Sequence, residues 1–143
     1  LRESGMKPST IQLEITERLF VEPNPELLQC LERLRDLGVT IAIDDFGIGS
    51  TSLSLLHKLP VDVLKIDRSF IEGFCNDHRA DALVRAIIDM GHALDMQIVA
   101  EGVENTEQVT RLREYGCDFL QGYLFSEPQA REGFADWLAG QHD

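Results

Sequence analysis

The chain has 143 residues, of which 43% are hydrophobic and 27% charged, as is typical of one soluble globular domain. Its formal net charge of −12 argues against binding to a nucleic-acid polymer or an anionic membrane surface, because either would repel it. The sequence shows no apolar run long enough to span a bilayer and no signal-peptide pattern. Its three cysteines lack paired-ligand spacing and predict neither disulfides nor a zinc site. We therefore expect a cytoplasmic protein, or the cytoplasmic portion of a larger one.

Predicted strands and helices alternate along the chain. Five short apolar segments predict strands, over residues 11–16, 39–43, 62–66, 97–100 and 118–120. Five segments with apolar residues at helical spacing predict helices, over residues 25–37, 52–58, 78–94, 106–115 and 129–138. We expect Leu83, Ile87, Met90 and Leu94 on the buried stripe of the longest helix, and Phe134, Trp137 and Leu138 on the inner face of the last. The alternation predicts an α/β fold with a parallel sheet, either open and doubly wound or part of a (β/α)8 barrel.

Polar side chains lie at or just beyond the carboxyl end of every predicted strand. In chain order they are Glu14 with Glu17, Asp44 with Asp45, Lys65 with Asp67, Glu101 with Glu104, and Gln121. In both candidate architectures, ligands bind at the carboxyl ends of the strands. One strand can end in a charge simply because it meets solvent. Five successive strands that end in polar residues, with acids directly following apolar runs, indicate one shared polar site.

The carboxylates of this set suit a divalent cation. Glu14, Asp44, Asp45 and Glu101 offer hard oxygen ligands without a histidine or cysteine at ligand spacing, which favours magnesium, manganese or calcium. The adjacent Asp44 and Asp45 repel each other unless cations lie between them, and one of the two could bridge a pair of metals. Two-metal sites perform in-line displacement on phosphate esters, where Lys65 could orient a water or bind a phosphate oxygen.

A glycine-containing turn follows the acid pair, with the sequence Phe46-Gly47-Ile48-Gly49-Ser50. It lacks both the GxGxxG pattern of dinucleotide-binding folds and the lysine of a P-loop. Two interpretations remain open from the residues alone: an ordinary flexible turn, or a mobile loop that closes over metals and substrate.

Five short blocks occur in one order along the chain: EITE from Glu14, DDFGIG from Asp44, KIDRSF from Lys65, AEGVE from Ala100 and QGYLFS from Gln121. With these blocks the sequence resembles the carboxyl-terminal part of an EAL domain, the family of bacterial cyclic-di-GMP phosphodiesterases. The resemblance extends over nearly the whole chain. It implies an incomplete TIM-type (β/α) barrel of about five βα units, where a whole barrel needs about 200 residues or more. It also implies hydrolysis of cyclic di-GMP to linear pGpG with two Mg²⁺ or Mn²⁺ ions per site.

The resemblance assigns the metals and the attacking water to particular residues. Glu14 and Asp44 would bind the first metal, and Asp44 would bridge to the second, which Asp45 also binds. Lys65 would hold the attacking water, with Glu101 close to that water and to the second metal.

The resemblance also assigns supporting roles around these residues. Glu17 would hold the loop that follows the acid pair, Gln121 would line the site and Glu104 would support it. Asp67 is a candidate substrate contact.

Two features depart from the family pattern. Ser50 stands where a tyrosine is common, and the glutamate of the EAL signature and a metal-binding asparagine have no counterpart in the chain. Residues 1–5 also look like the last turn of a helix ending at Gly5. We therefore expect residues 1–143 to be the carboxyl-terminal part of a single EAL domain, fused to upstream regulatory domains, able to form a homodimer, and inactive as an isolated chain.

Two other functions stay open at this point. One is a catalytically incomplete module that binds cyclic di-GMP without cutting it. The other is a structural domain that depends on calcium or magnesium and binds no nucleotide.

Overall fold

The strand order of the sheet decides between the two candidate architectures. The computed structural model describes residues 5–20, 24–49, 56–130, 133–134 and 137–138. Its strands are β1 (Gln12–Thr16), β2 (Thr40–Phe46), β3 (Val63–Ile66), β4 (Gln97–Ala100) and β5 (Phe119–Leu120). All neighbours are parallel and the order in the sheet is β1-β2-β3-β4-β5. A doubly wound sheet reverses its order part-way, so this uninterrupted order is that of a barrel wall.

Helices connect these strands. The described part of the chain contains the α-helices α1 (Pro25–Asp36), α2 (Arg68–Ile71), α3 (His78–Ala93) and α4 (Thr106–Glu114). It also contains 3₁₀ turns at Pro8–Thr10, Glu17–Phe20 and Phe74–Asn76. The predicted start of α1 is confirmed, since the Asn24 side chain accepts a hydrogen bond from the Glu26 N–H at 2.9 Å and proline follows the cap. The short helix α2 was not predicted.

The two faces of the sheet differ in what covers them. On one face Ile41, Ile43, Leu64 and Ile98 are fully buried, where α1 packs against β2 and α3 against β4. The other face lines a cavity of about 340 Å³ whose lining includes the polar residues Gln12 and Gln97 and the apolar residues Val63 and Val99. This face leads to the carboxyl ends of the strands.

The buried stripe of α3 differs from the predicted one. It consists of Val84, Ile87, Ile88 and Gly91, whereas Leu83 is 47% exposed. At Gly91 the helix comes so close to the sheet that an added Cβ would overlap the Ile98 side chain. This contact lies on the buried face of the helix, which runs from Val84 to Gly91.

Parts of two predicted helices lie outside the described residues. For the segment 52–58 the structure describes residue 56 onward, and Leu56 is fully buried. In the segment 129–138 the rings of Phe134 and Trp137 stack with centroids 5.9 Å apart. Phe134 and Leu138 are about half exposed there, so the expected inward face is not formed by these side chains.

Among the described residues, none of the helices has the length and apolar character that a membrane crossing requires.

Candidate active site

Lys65 lies at the centre of the candidate site. Its side chain is only 7% exposed, and its Nζ atom lies 3.0 Å from a Glu14 oxygen, 2.9 Å from Asp44 Oδ1 and 2.8 Å from a Glu101 oxygen. Glu14 belongs to β1, Asp44 to β2 and Lys65 to β3, while Glu101 follows directly after β4. The strand order therefore places the ammonium between acids of the neighbouring strands.

The charge state of Lys65 follows from these contacts. Burial alone would lower the pKa of the ammonium, but its interactions with Glu101, Asp44 and Glu14 outweigh burial and raise the pKa above its ordinary value. In the metal-free site Lys65 is therefore protonated near neutral pH and can act as a hydrogen-bond donor.

A β-bulge shapes the acid pair. Ile43 pairs with Leu64 and Phe46 with Ile66, so Asp44 and Asp45 together oppose one residue of β3. Neighbouring residues of a regular strand point to opposite faces. Here the left-handed backbone of Asp45, with φ of 55°, breaks that alternation.

The bulge gathers three carboxylates at one place. One oxygen from each of Asp44, Asp45 and Glu101 lies within 4.8 Å of the other two. Strand β2 was expected to end at residue 43, before the acids, and that prediction is wrong because pairing continues through the bulge to Phe46.

The donor set fits a divalent cation. Within the described residues, Asp44 Oδ1 is buried and makes no hydrogen bond, and its 2.9 Å contact with Lys65 is an ion pair without hydrogen-bond geometry. A buried carboxylate oxygen left in this state is a natural place for a cation. The cluster of Asp44, Asp45 and Glu101 offers oxygen ligands, which suit a hard ion, and Glu14 joins it through Lys65.

Glu17 lies under the glycine-containing loop. It is buried, and its Oε2 atom accepts hydrogen bonds from the backbone N–H groups of Gly47 and Gly49, both at 3.0 Å. A Cβ at Gly49 would lie 2.8 Å from the Glu17 carboxyl carbon, and one at Gly47 would lie 2.6 Å from the Phe70 ring. The loop can approach this closely only because both positions are glycine. Ser50 lies outside the described residues.

A second cavity, of about 290 Å³, lies beside the acid cluster. Its lining includes Asp45, Asp67, Glu101, Glu104 and Gln121. The Asp67 side chain is buried and accepts a hydrogen bond from the Ser69 N–H at 2.9 Å, so one of its oxygens caps α2. Glu104 and Gln121 are exposed, and their side chains border open space.

Apart from its glycines, this second cavity has two lining residues that were not predicted from the sequence as site residues. Arg68 and Tyr123 both contribute to its lining. Each is adjacent or nearly adjacent to a selected residue, Arg68 to Asp67 and Tyr123 to Gln121. A search for cations and aromatics next to the strand ends could have found them.

Comparison with known proteins decides the family, since residues 1–128 match the sequence model of the EAL domain. The chain belongs to the EAL domain family. It is 44% identical over 138 residues to the cyclic di-GMP phosphodiesterase NbdA of Pseudomonas aeruginosa, a match that covers 96% of this chain and 18% of NbdA. The chain thus spans less than a fifth of that relative's length.

Solved EAL structures share the fold. The PaMucR phosphodiesterase in its c-di-GMP complex superposes with a TM-score of 0.87 and 42% identity, over 94% of this chain and 54% of that one. BlrP1 of Klebsiella pneumoniae, in a manganese and cyclic-di-GMP complex, gives a TM-score of 0.81 and 33% identity, over 90% of this chain and 33% of that one. The predicted TIM-type barrel is confirmed, with the five described strands forming part of it.

Proposed function

We propose that the protein hydrolyses one phosphodiester bond of cyclic di-GMP to give linear pGpG, with two divalent cations, Mg²⁺ or Mn²⁺, at the site. The observation that carries the proposal is the acid cluster around Lys65, at the carboxyl ends of the strands of an EAL-family barrel. Further support comes from the relatives, since NbdA is named a cyclic di-GMP phosphodiesterase and BlrP1 was solved with manganese and the dinucleotide.

The acid cluster supplies the ligands in this proposal. Glu14 and Asp44 would hold the first cation, Asp44 and Asp45 the second, with Glu101 close to the second. Asp44 suits the shared position because its Oδ1 is buried without a hydrogen bond and Asp45 lies beside it on the bulge. When bound, the cations would neutralise the acids, polarise the phosphate and favour deprotonation of a water.

Lys65 and Glu101 would handle the attacking water. The Lys65 ammonium would donate a hydrogen bond from Nζ that orients the water or a phosphate oxygen. Glu101 lies 2.8 Å from Nζ and also borders the second cavity. Its carboxylate would accept a hydrogen bond from the same water.

The surrounding residues would hold the nucleotide in place. Asp67, Glu104 and Gln121 border the cavity beside the acid cluster, which is where the dinucleotide would lie. Glu17 would fix the loop next to Asp45 through the two glycine N–H groups.

Product analysis of the full-length protein tests this function. We expect conversion of cyclic di-GMP to pGpG that requires Mg²⁺ or Mn²⁺, and a loss of about 100-fold or more in Asp44→Asn, since a bridging ligand is removed. Asp36→Asn is the matched control, because Asp36 is an exposed acid at the end of α1. Binding of the dinucleotide without turnover in the wild type would point to an incomplete binding module, and unaltered turnover in Asp44→Asn would refute the metal assignment.

We further propose that residues 1–143 form the carboxyl-terminal part of one EAL domain within a larger cytoplasmic signalling protein that forms homodimers. The match covers only 18% of NbdA and 54% of the PaMucR structure, which supports a protein larger than these 143 residues. Light scattering of the full-length protein measures the oligomeric state, and a monomer at working concentration would contradict the dimer.

A further inference from the structure

Gln108 joins two chain segments that carry residues of the candidate site. It lies in the first turn of α4 and is buried. Its Oε1 atom accepts hydrogen bonds from the N–H groups of Glu104, at 2.7 Å, and Asn105, at 3.1 Å. Its Nε2 atom donates to the Ile71 carbonyl at 2.9 Å. One amide therefore connects segment 101–105, which follows β4, to segment 67–71, which follows β3.

Glutamine at position 108 does more than a capping box requires, because a capping box uses only the Oε1 acceptor of the side-chain amide. Asn105 Oδ1 accepts from the Gln108 N–H at 2.9 Å while Gln108 Oε1 accepts from the Asn105 N–H, and a glutamate would complete the same motif. Only the amide also offers N–H donors. Ile71 ends α2, where helix carbonyls lack partners within the helix, and the Gln108 donor satisfies its buried carbonyl.

The same two segments are in direct contact on the side nearer the cavity. Gly102 has φ of 72°, and a Cβ there would lie 2.5 Å from the Arg68 Cβ. The Glu101 N–H, at the start of one segment, also donates to the carbonyl of Ile66, the residue just before the other segment, at 3.1 Å. Asp67 and Arg68 on one segment, and Glu101 and Glu104 on the other, line the 290 Å³ cavity. The spacing of the segments therefore sets the width of this cavity.

We propose that Gln108 is a positioning residue that fixes the spacing of segments 67–71 and 101–105, and with it the fit of the dinucleotide. It acts through these segments, since its own amide is buried against their backbones. The acid pair and Lys65 are held by β2 and β3, and the Glu101 N–H is held by the Ile66 carbonyl of β3, so loss of Gln108 changes substrate fit more than the chemical step. The kinetic part of this inference rests on the proposed function.

Two substitutions in the full-length protein separate the roles of the amide. Gln108→Glu keeps the acceptor for the capping box but sets a carboxylate oxygen against the Ile71 carbonyl, whereas Gln108→Met loses the acceptor and the donor. In each variant we expect KM for cyclic di-GMP to rise about fivefold or more, because each loses at least one hydrogen bond, with kcat changed less than about twofold. Leu112→Val is the control, since it truncates a fully buried side chain one turn later in α4 and lowers stability while leaving the hydrogen bonds of the Gln108 amide in place.

Amide hydrogen exchange without nucleotide gives a readout independent of activity. We expect faster exchange at residues 68–72 in both Gln108 variants, faster exchange at residues 104 and 105 in Gln108→Met only, and no change at these amides in Leu112→Val. If the wild type does not hydrolyse the dinucleotide, the proposed function fails while exchange still decides the role of Gln108. Unchanged exchange at 68–72 in Gln108→Glu, or an equal rise of KM in Leu112→Val, would overturn the proposal.

Discussion

Replacing Lys65 with methionine tests whether its ammonium holds the acid cluster together in the absence of metal. Oxygens of Asp44, Asp45 and Glu101 lie within 4.8 Å of one another. Two unit charges at that distance repel by about 3.5 kcal/mol at an effective dielectric constant of 20. Removing one partner of a buried ion pair typically costs roughly 3–5 kcal/mol.

Water reduces the expected loss. The Glu14, Asp44 and Glu101 side chains are 44%, 25% and 18% exposed, so solvent and counterions screen part of the repulsion. We therefore expect Lys65→Met to lower the free energy of unfolding of the metal-free EAL domain by about 2–3 kcal/mol at pH 7.

Urea unfolding in the presence of EDTA measures this loss. Lys58→Met is the matched control, because Lys58 is an exposed lysine whose removal should change stability little. Adding Mg²⁺ or Mn²⁺ should stabilise Lys65→Met more than wild type, since the cation then meets no competing ammonium. Calorimetry should accordingly show tighter metal binding by Lys65→Met. Equal stability of the two methionine variants in EDTA would refute this reasoning.

Two further predictions concern stability away from Lys65. Asp118 Oδ2 lies 2.9 Å from His92 Nε2, and although burial alone would raise the pKa of Asp118, His92 and backbone donors lower it below its ordinary 3.8. Ionised Asp118 therefore stabilises the folded state fully above that value, and this stabilisation is lost as pH falls through the lowered pKa. Asp118→Asn should lower the free energy of unfolding by about 1 kcal/mol at pH 7, and by progressively less below about pH 4, as measured by calorimetric melting. A difference between variant and wild type that does not change with pH would contradict this. At Gly47 φ is 98°, and a Cβ would lie 2.6 Å from the Phe70 ring; at Gly73 φ is 72°, and a Cβ would have nothing within 4 Å. Urea unfolding should therefore show a larger loss in the free energy of unfolding for Gly47→Ala than for Gly73→Ala. Equal losses would show that the Phe70 contact is unimportant.

The succession of elements could be predicted because each strand is a short apolar run and each helix has caps or a periodic stripe. Asn24 before Pro25 is an example, since cap chemistry acts within a few residues. The sequence also located the acids at the strand ends. The sequence did not predict the order of the strands in the sheet, and this order brings Glu14, Asp44 and Glu101 into contact with Lys65.

Features that depend on distant partners could not be predicted. The bulge at Asp45 arises from the pairing of β2 with β3, and the run IAIDDF contains no signal for it. Asn105 and Gln108 have the spacing of a capping box, but the Ile71 carbonyl lies 37 residues away along the chain. The exposure of Leu83 likewise depends on where Gly91 meets Ile98.

Anomalous X-ray scattering tests the central claim most directly, namely that the carboxylates around Lys65 hold the cations that act on cyclic di-GMP. The measurement uses crystals of the full-length protein grown with Mn²⁺ and the dinucleotide. We expect two manganese peaks bounded by Glu14, Asp44, Asp45 and Glu101, with a phosphate of the dinucleotide against them. Nucleotide bound without manganese at these carboxylates, or manganese bound elsewhere in the domain, would contradict the claim.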